Sequence, residues 1–133
     1  MIPSQNWLII LLAAISACAA GTMEPARESP VSVSEAVAQG EMKFGEEALV
    51  SGFLSTRSED LHLYEDSRAY RRSSYDQCLN ITFDLDTAYY DEREKYHRKY
   101  VVVTGRVAPI DSYFFDTGGC GNLGLVVSDI DLR

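Results

Sequence analysis

Histidine and cysteine are scarce in this sequence, which contains only His62, His97 and three cysteines in 133 residues. Neither histidine belongs to an H-x-x-x-H or H-x-H pair, and no cysteine lies at a metal-ligand spacing from either of them. Zinc sites are built from such spacings. The G-x-S-x-G sequence that presents a nucleophilic serine is also absent. We therefore expect no bound metal, no cofactor and no enzymatic activity.

Basic residues are also few in this chain compared with acidic ones. Its 12 Lys and Arg residues stand against 20 Asp and Glu residues, which gives a formal net charge of −8. Proteins that bind nucleic acids usually present a basic face to the phosphates. We therefore expect no nucleic-acid partner.

One stretch, SRAYRRSSY, nevertheless collects basic residues. Its arginines and tyrosines are Arg68, Tyr70, Arg71, Arg72 and Tyr75. Such interleaving can serve base stacking and phosphate contacts. In a chain of this net charge, three other interpretations stay open: a local surface patch, a contact for an acidic partner, or a set of internal ion pairs.

No apolar run is long enough to span a bilayer as a helix. The run from Trp7 to Ala20 has 14 residues, whereas a spanning helix needs about 20. An apolar run followed by small residues is typical of a secretory signal, although no Lys or Arg precedes this one. Residues 15–18, ISAC, resemble a lipobox, in which the cysteine, here Cys18, becomes the lipid-carrying N-terminus. The alternative is an ordinary signal cut after Ala19.

We therefore divide the chain into three parts: a lipoprotein-type signal peptide at residues 1–17, a flexible tether at 18–30, and one domain at 31–133. The tether mixes small, charged and proline residues without periodicity, which is typical of a linker. The predicted location is the periplasm, with the lipid at Cys18 as the only membrane attachment. Ala19 after the cysteine favours the outer membrane under the sorting habit of enteric bacteria.

Processing at either site leaves Cys78 and Cys120 as an even pair of cysteines. Exported domains meet an oxidising compartment, in which disulfides form and persist. We therefore predict a Cys78–Cys120 bridge. Closing a loop of this size contributes about 2–4 kcal/mol to stability.

Hydrophobic alternation predicts five strands. They lie at residues 47–55, 61–65, 78–85, 99–109 and 121–132. A short helix precedes them, capped by Ser32 or Ser34 and ended by Gly40, and residues 86–98 form a helix or loop between strands three and four. This order predicts a mainly β protein, a five-stranded OB-like Greek-key barrel. An open β-sandwich is the alternative.

Two details of the pattern support barrel closure. Gly52 and Gly105 each follow V-[ST], in strands one and four, where glycines allow a strongly coiled strand to bend. In the last strand the apolar phase changes after Val127, which predicts a β-bulge near Ser128.

Three stretches resemble a known group of proteins. The first strand lies in GEEALVSGFLS, the fourth is KYVVVTGRV, and the last begins with GNLGL at residues 121–125. They resemble a family of small exported bacterial proteins with OB-like barrels, many of them lipoproteins and most of them uncharacterised. The resemblance covers roughly residues 31–132, implies the fold and the export route, and supplies no catalytic residues. The Cys78–Cys120 pair and Asn122, where the family often has a histidine, depart from its pattern.

The loop at residues 111–119 contains three adjacent aromatic residues between strands four and five. OB barrels bind through the faces of strands two and three and through loops 1–2 and 4–5. The aromatic run is therefore either a plug for the barrel end or a recognition tip with outward-facing strand residues as its floor. The candidate ligand-binding residues are then Tyr64, Asn80, Thr82, Tyr113, Phe114 and Phe115.

Two acidic pairs, Asp84 with Asp86 and Asp129 with Asp131, each lie on one face of a strand. Clustered carboxylates can bind Ca²⁺, but the loop spacing of an EF-hand is absent, so we interpret both pairs as solvated.

The expected function is non-catalytic binding of an envelope protein or glycan by a lipid-anchored module. Two alternatives stay open. One is an envelope hydrolase or metal-dependent enzyme that uses Asp84 and Asp86. The other is a secreted inhibitor that inserts the 111–119 loop into a partner enzyme.

The first prediction concerns processing of the full chain made in a bacterial host. We expect the mature protein to begin at Cys18 with a lipid adduct, and to gain two daltons on reduction because one disulfide opens. Intact-mass spectrometry with and without reductant checks both. A lipid-free mass beginning at Ala20 would contradict the anchor, and an unchanged mass on reduction would contradict the bridge.

Overall fold

The structure is a computed structural model that describes residues 28–57, 60–84, 89–112 and 119–133. Its strands are β1 (Val31–Ser32), β2 (Glu47–Arg57), β3 (Asp60–Tyr64), β4 (Cys78–Phe83), β5 (Lys99–Pro109) and β6 (Leu123–Leu132). Its helices are α1 (Val33–Gln39) and α2 (Ser67–Arg72), with 3-10 turns at Gly40–Lys43 and Arg93–Tyr96. Cys18 and the predicted signal peptide lie outside the described residues. Within those residues, no helix is long and apolar enough to cross a membrane.

Five strands close a barrel in the order β2-β3-β4-β6-β5, and β5 pairs back to β2. Neighbouring strands are antiparallel except for β4 and β6, which are parallel. The predicted five-stranded OB-like barrel is therefore confirmed, and closure excludes the open β-sandwich. Each predicted strand is present, with bounds that differ by two residues or fewer.

Alternation along the strands places every second side chain inside the barrel. In β4 these are Leu79, Ile81 and Phe83. They pack against inward-facing side chains of the other strands: Val50, Leu54, Leu61, Leu63, Val101, Val103, Val107, Leu125, Val127 and Ile130. Removing this apolar surface from water is the main driving force for closure.

Helix α1 closes the end of the barrel that lies away from the β2–β3 turn. It begins after Ser32, whose Oγ accepts a hydrogen bond from the backbone N–H of Glu35 at 3.1 Å, as expected for an N-cap. Val33 is fully buried in the barrel core. The Glu65 carboxylate accepts hydrogen bonds from the N–H and Oγ of Ser34 at 2.6 and 2.8 Å. These bonds fix α1 to the chain just beyond β3.

The other end of the barrel is closed by the segment that precedes β5. The sequence predicts a helix or loop over residues 86–98, and the described part, residues 89–98, is a loop with one 3-10 turn. Tyr89 and Tyr96 are half-buried against the core, with ring centroids 6.1 Å apart. The turn contacts β2 and β5. Aromatic packing, not a helix, therefore seals this end.

The two predicted glycine bends lie where strands approach most closely. A Cβ on Gly52 would lie 2.6 Å from the backbone oxygen of Tyr64, and one on Gly105 would lie 2.9 Å from that of Val126. Only a hydrogen atom fits in either space.

The predicted bulge in β6 is also confirmed. Thr104 pairs with Asp129 while Gly105 pairs with Val127, so Ser128 is the extra residue. Its Oγ donates a hydrogen bond to the backbone oxygen of Thr104 at 3.3 Å. The bulge lets β6 follow the curvature of the barrel.

We expect Gly52→Ala to lower the free energy of unfolding by about 1–3 kcal/mol, the usual cost of overpacking a tight site. The added methyl would meet the Tyr64 backbone, which is held in the β2–β3 ladder and cannot easily move. Urea unfolding measures the change. Ser51→Ala is the matched control, because it removes only one long hydrogen bond of 3.4 Å. Equal stability of the two variants would contradict the close-approach explanation.

Candidate binding surface

The outer face of β2, β3 and β4 is covered by α2 and by the segment around Cys120. A small second core forms under this cover: Phe53, Tyr64, Ala69, Cys78 and Cys120. The sequence predicts that Tyr64, Asn80 and Thr82 face outward as an open floor. That prediction is wrong for two of them, because Tyr64 is 1% exposed and Asn80 is fully buried. Thr82 is partly exposed. Alternation identifies the face of a strand but not whether another segment covers it.

Asn80 holds the covering segment in place through its side-chain amide. Its Nδ2 donates hydrogen bonds to the backbone oxygens of Gly121 and Leu123, both at 2.9 Å. Its Oδ1 accepts one from the backbone N–H of Cys120 at 3.2 Å. The hydrogen-bonding capacity of the buried amide is therefore used within the fold.

The predicted Cys78–Cys120 disulfide is confirmed, with Cα atoms 5.4 Å apart and a sequence separation of 42. Both cysteines are buried. The bridge ties the covering segment to the first residue of β4, next to the anchor that Asn80 provides. Because its sulfur is bonded to Cys120, Cys78 is not available as a thiol nucleophile.

Asp60 is the centre of a polar network on this face. Its Oδ2 accepts a hydrogen bond from Ser55 Oγ at 3.2 Å, and its Oδ1 accepts one from the Tyr64 hydroxyl at 2.7 Å. The Nδ1 atom of His62 lies 2.5 Å from the same Oδ1. The three partners are buried, whereas the Asp60 side chain is 34% exposed.

This network is better suited to fixing the face than to reacting. Burial raises the pKa of Tyr64 far above its ordinary value, and the hydrogen bond to Asp60 and the carboxylate charge act in the same direction. Tyr64 therefore remains a protonated donor. Ser55 donates its hydroxyl to Asp60 and not to the imidazole of His62. A nucleophile activated by an adjacent base, as covalent catalysis requires, is not formed by this network.

Helix α2 lies over the network, and the hydrophobic pattern of the sequence does not predict it. It begins at the N-cap Asp66, whose Oδ1 accepts a hydrogen bond from the N–H of Ala69 at 2.8 Å. It ends at Ser73, which adopts φ 49° and donates its backbone N–H to the backbone oxygens of Ala69 and Tyr70. The acidic cap three residues before the buried Ala69 is the signal that would have revealed it.

Aromatic rings fix α2 to the barrel wall. The Tyr70 ring lies 5.4 Å from that of Phe53 and 5.5 Å from that of Tyr64, and Phe53 lies 5.0 Å from Tyr100. The backbone N–H of Ser67 donates a hydrogen bond to the Tyr100 hydroxyl at 3.1 Å. Tyr100 remains 42% exposed, so an aromatic edge is left at the surface.

The three arginines of α2, Arg68, Arg71 and Arg72, are exposed, and none forms an ion pair with a residue that the structure describes. Both described lysine–glutamate pairs, Lys43–Glu46 and Lys95–Glu92, lie elsewhere. Of the three interpretations of SRAYRRSSY, internal ion pairing is therefore wrong for these arginines within the described chain.

Arg98 adds a fourth cation. Its side chain is exposed, and its Cζ lies 5.9 Å from the centroid of the Tyr70 ring, within the range of a cation–π interaction. We call this set of residues the arginine–tyrosine surface: Arg68, Tyr70, Arg71, Arg72, Arg98 and Tyr100.

The helix dipole favours only two of the three arginines in α2. Arg71 and Arg72 lie in the last turn of α2, where cations are favoured by the helix dipole. Arg68 lies in the first turn, where a cation is unfavourable. It is also four residues from Arg72, and like charges at that spacing destabilise a helix by about 0.2–0.5 kcal/mol. Neither the helix dipole nor the spacing to Arg72 therefore favours an arginine at position 68.

The acidic pairs do not form a metal site in the described part of the chain. Asp84 and Asp129 are partly exposed, Asp131 is exposed, and the Tyr89 hydroxyl donates a hydrogen bond to Asp129. Among the described residues, no group of three His, Cys, Asp or Glu side chains is close enough to hold a metal ion. Several predicted positions lie outside the described residues: Asp86, Tyr113, Phe114 and Phe115.

Comparison with known proteins gives no match, either among protein-family models or among curated proteins. The function of this chain therefore has to be inferred from its contacts, burial and charge.

His97, beside the arginine–tyrosine surface, holds the end of β2. Its Nδ1 accepts a hydrogen bond from the backbone N–H of Thr56 at 3.0 Å, which requires that nitrogen to be unprotonated. Burial lowers the pKa of His97, and the nearby charges of Arg57 and Arg98 add to the effect, while two carboxylates oppose it. The folded state therefore favours neutral His97.

This preference makes stability depend on pH. Between the lowered pKa of folded His97 and the unfolded value near 6.5, the unfolded chain binds more protons. We expect the free energy of unfolding to fall as pH decreases through that window, and His97→Gln to weaken this dependence. Urea unfolding of both proteins from pH 8 to 5 measures the two slopes. Parallel slopes would show that His97 is not responsible.

Proposed function

We propose that this protein is a lipid-anchored, non-catalytic binding module of the bacterial cell envelope. Its partner, a protein or a glycan, contacts the arginine–tyrosine surface. The protein is exported to the periplasm and held at the outer membrane by the lipid on Cys18. Binding needs neither a metal nor a cofactor.

The proposal rests on the arginines of α2, which form no ion pair with any residue that the structure describes. The chain has a net charge of −8, so acidic residues are abundant, yet the arginines of α2 form no ion pair with any of them in the described structure. Charges of one sign gathered on one face attract a ligand of the opposite sign and speed its approach. An anionic group on the partner is therefore the expected complement.

The aromatic residues of the surface support the same function. Tyrosine and arginine are enriched where proteins bind partners, because each combines a large contact area with hydrogen-bonding capacity. Tyr70 and Tyr100 are already fixed by packing on Phe53. A surface that is rigid before binding loses little conformational entropy when the partner arrives.

The polar groups of the neighbouring face support binding over hydrolysis. The side-chain amide of Asn80 donates hydrogen bonds to the covering segment. The hydroxyl groups of Ser55 and Tyr64 donate hydrogen bonds to Asp60. The sulfur of Cys78 is bonded to that of Cys120. None of these groups is left as an exposed nucleophile. Within the described chain, no observation favours the hydrolase alternative.

Site-specific photo-crosslinking in living cells tests the proposal on the full chain. With a benzophenone amino acid in place of Arg71, we expect a crosslinked adduct in the envelope fraction, because Arg71 is an exposed residue of the proposed contact. The matched control carries the same group in place of Ser128, an exposed residue of β6 that lies beside Thr104 of β5. The control should give no adduct.

Two results would contradict the proposed function. One is the absence of any adduct at position 71 in cells that process and localise the protein normally. The other is equal crosslinking from positions 71 and 128, which would mean that the arginine–tyrosine surface is not a specific contact.

A further inference from the structure

A cavity of about 280 Å³ lies beside α2, at one side of the arginine–tyrosine surface. We call it the α2 pocket. It is lined by Asp66, Arg68, Ala69, Arg72, Ser74 and Gln77. All of these side chains except that of Ala69 are polar, so the pocket is suited to a ligand that is itself rich in hydrogen-bonding groups.

Two arginines line the same pocket. Arg68 and Arg72 are one helical turn apart, so their side chains leave the helix on one side. Neither is paired with a described carboxylate. Arg68, which neither the helix dipole nor the spacing to Arg72 favours, is one of the two arginines that line the cavity. An anion between the guanidiniums would remove their repulsion and accept several charge-assisted hydrogen bonds.

The other charged residue of the lining, Asp66, favours an anion that carries a single negative charge. Asp66 uses Oδ1 to cap α2, and its carboxylate reduces the formal charge of the lining to +1. A carboxylate matches that charge better than a phosphate, which carries between one and two negative charges near neutral pH.

Polar side chains in the pocket remain available for hydroxyl groups. The side chains of Ser74 and Gln77 form no hydrogen bond with a described residue. Their backbones are fixed, because Ser74 N–H donates to the oxygen of Ala69 at 3.0 Å and Gln77 N–H donates to that of Ser74 at 2.9 Å. Tyr75, between them in sequence, is 57% exposed.

We propose that the α2 pocket binds one carboxylate-bearing sugar, a uronic acid residue, and that the partner is an acidic glycan. This inference rests on the proposed function and specifies its ligand. The two guanidiniums bind the carboxylate, Ser74, Gln77 and Asp66 bind hydroxyl groups, and the size of the cavity limits recognition to about one sugar unit. Arg71 and Arg98 meet neighbouring acidic units along the chain.

Calorimetric titration of the full chain in detergent tests this inference. The probes are short oligomers of galacturonate, glucuronate and mannuronate, with a neutral galactose oligomer of the same length as the reference. We expect at least one uronate oligomer to bind tenfold or more tightly than the neutral oligomer. R68Q/R72Q should weaken that binding at least tenfold.

K43Q/K95Q is the matched control. It also removes two positive charges, but both lysines lie in ion pairs outside the surface, so its affinity should stay within twofold of the original. Thermal unfolding of both variants checks that the fold is retained, which we expect because Arg68 and Arg72 are exposed and form no ion pair with a described residue.

Three results would overturn the inference. These are no binding of any uronate oligomer, equal loss in both double variants, or tighter binding of mannose 6-phosphate than of every uronate. If such a result occurs while the benzophenone residue at position 71 still crosslinks to an envelope partner, the binding function stands and the acidic glycan is wrong. If crosslinking also fails, the binding function itself is wrong.

Discussion

Closure of the barrel between β2 and β5 is the constraint on which the rest of this structure depends. Without that pairing, the aliphatic interior would face solvent along one open edge. The ring requires bent strands, and Gly52 and Gly105 allow the backbone to approach Tyr64 and Val126 at distances that no Cβ permits. Once the ring is closed, only its two ends need cover. Helix α1 and the tyrosines of the segment before β5 provide it.

The outside of the barrel is organised by a second constraint, the attachment of the segment around Cys120. The disulfide and the buried amide of Asn80 act at adjacent positions and fix the same short stretch. Together with α2 they cover a face that OB barrels commonly use for ligands. The candidate binding surface therefore lies on α2 instead of on the strands beneath it.

The distribution of charge connects this geometry to function. Most of the molecule is acidic, which opposes non-specific association with phosphate polymers. The arginines of α2 form a local exception, and the helix that carries them is fixed by the Asp66 cap and by aromatic packing on Phe53. A rigid basic patch on an acidic domain can select an acidic partner by its local geometry, since the overall charge provides no general attraction.

Local rules in the sequence determined much of the fold. Alternation predicted the five strands, the phase change predicted the bulge near Ser128, and cysteine parity indicated the disulfide. The burial of Tyr64 and Asn80 was decided only by tertiary structure. Alternation and capping depend on residues a few positions apart, whereas Asn80 is covered by a segment about 40 residues away in the chain. The α2 pocket likewise forms only when α2 and the loop after it fold together on the barrel wall.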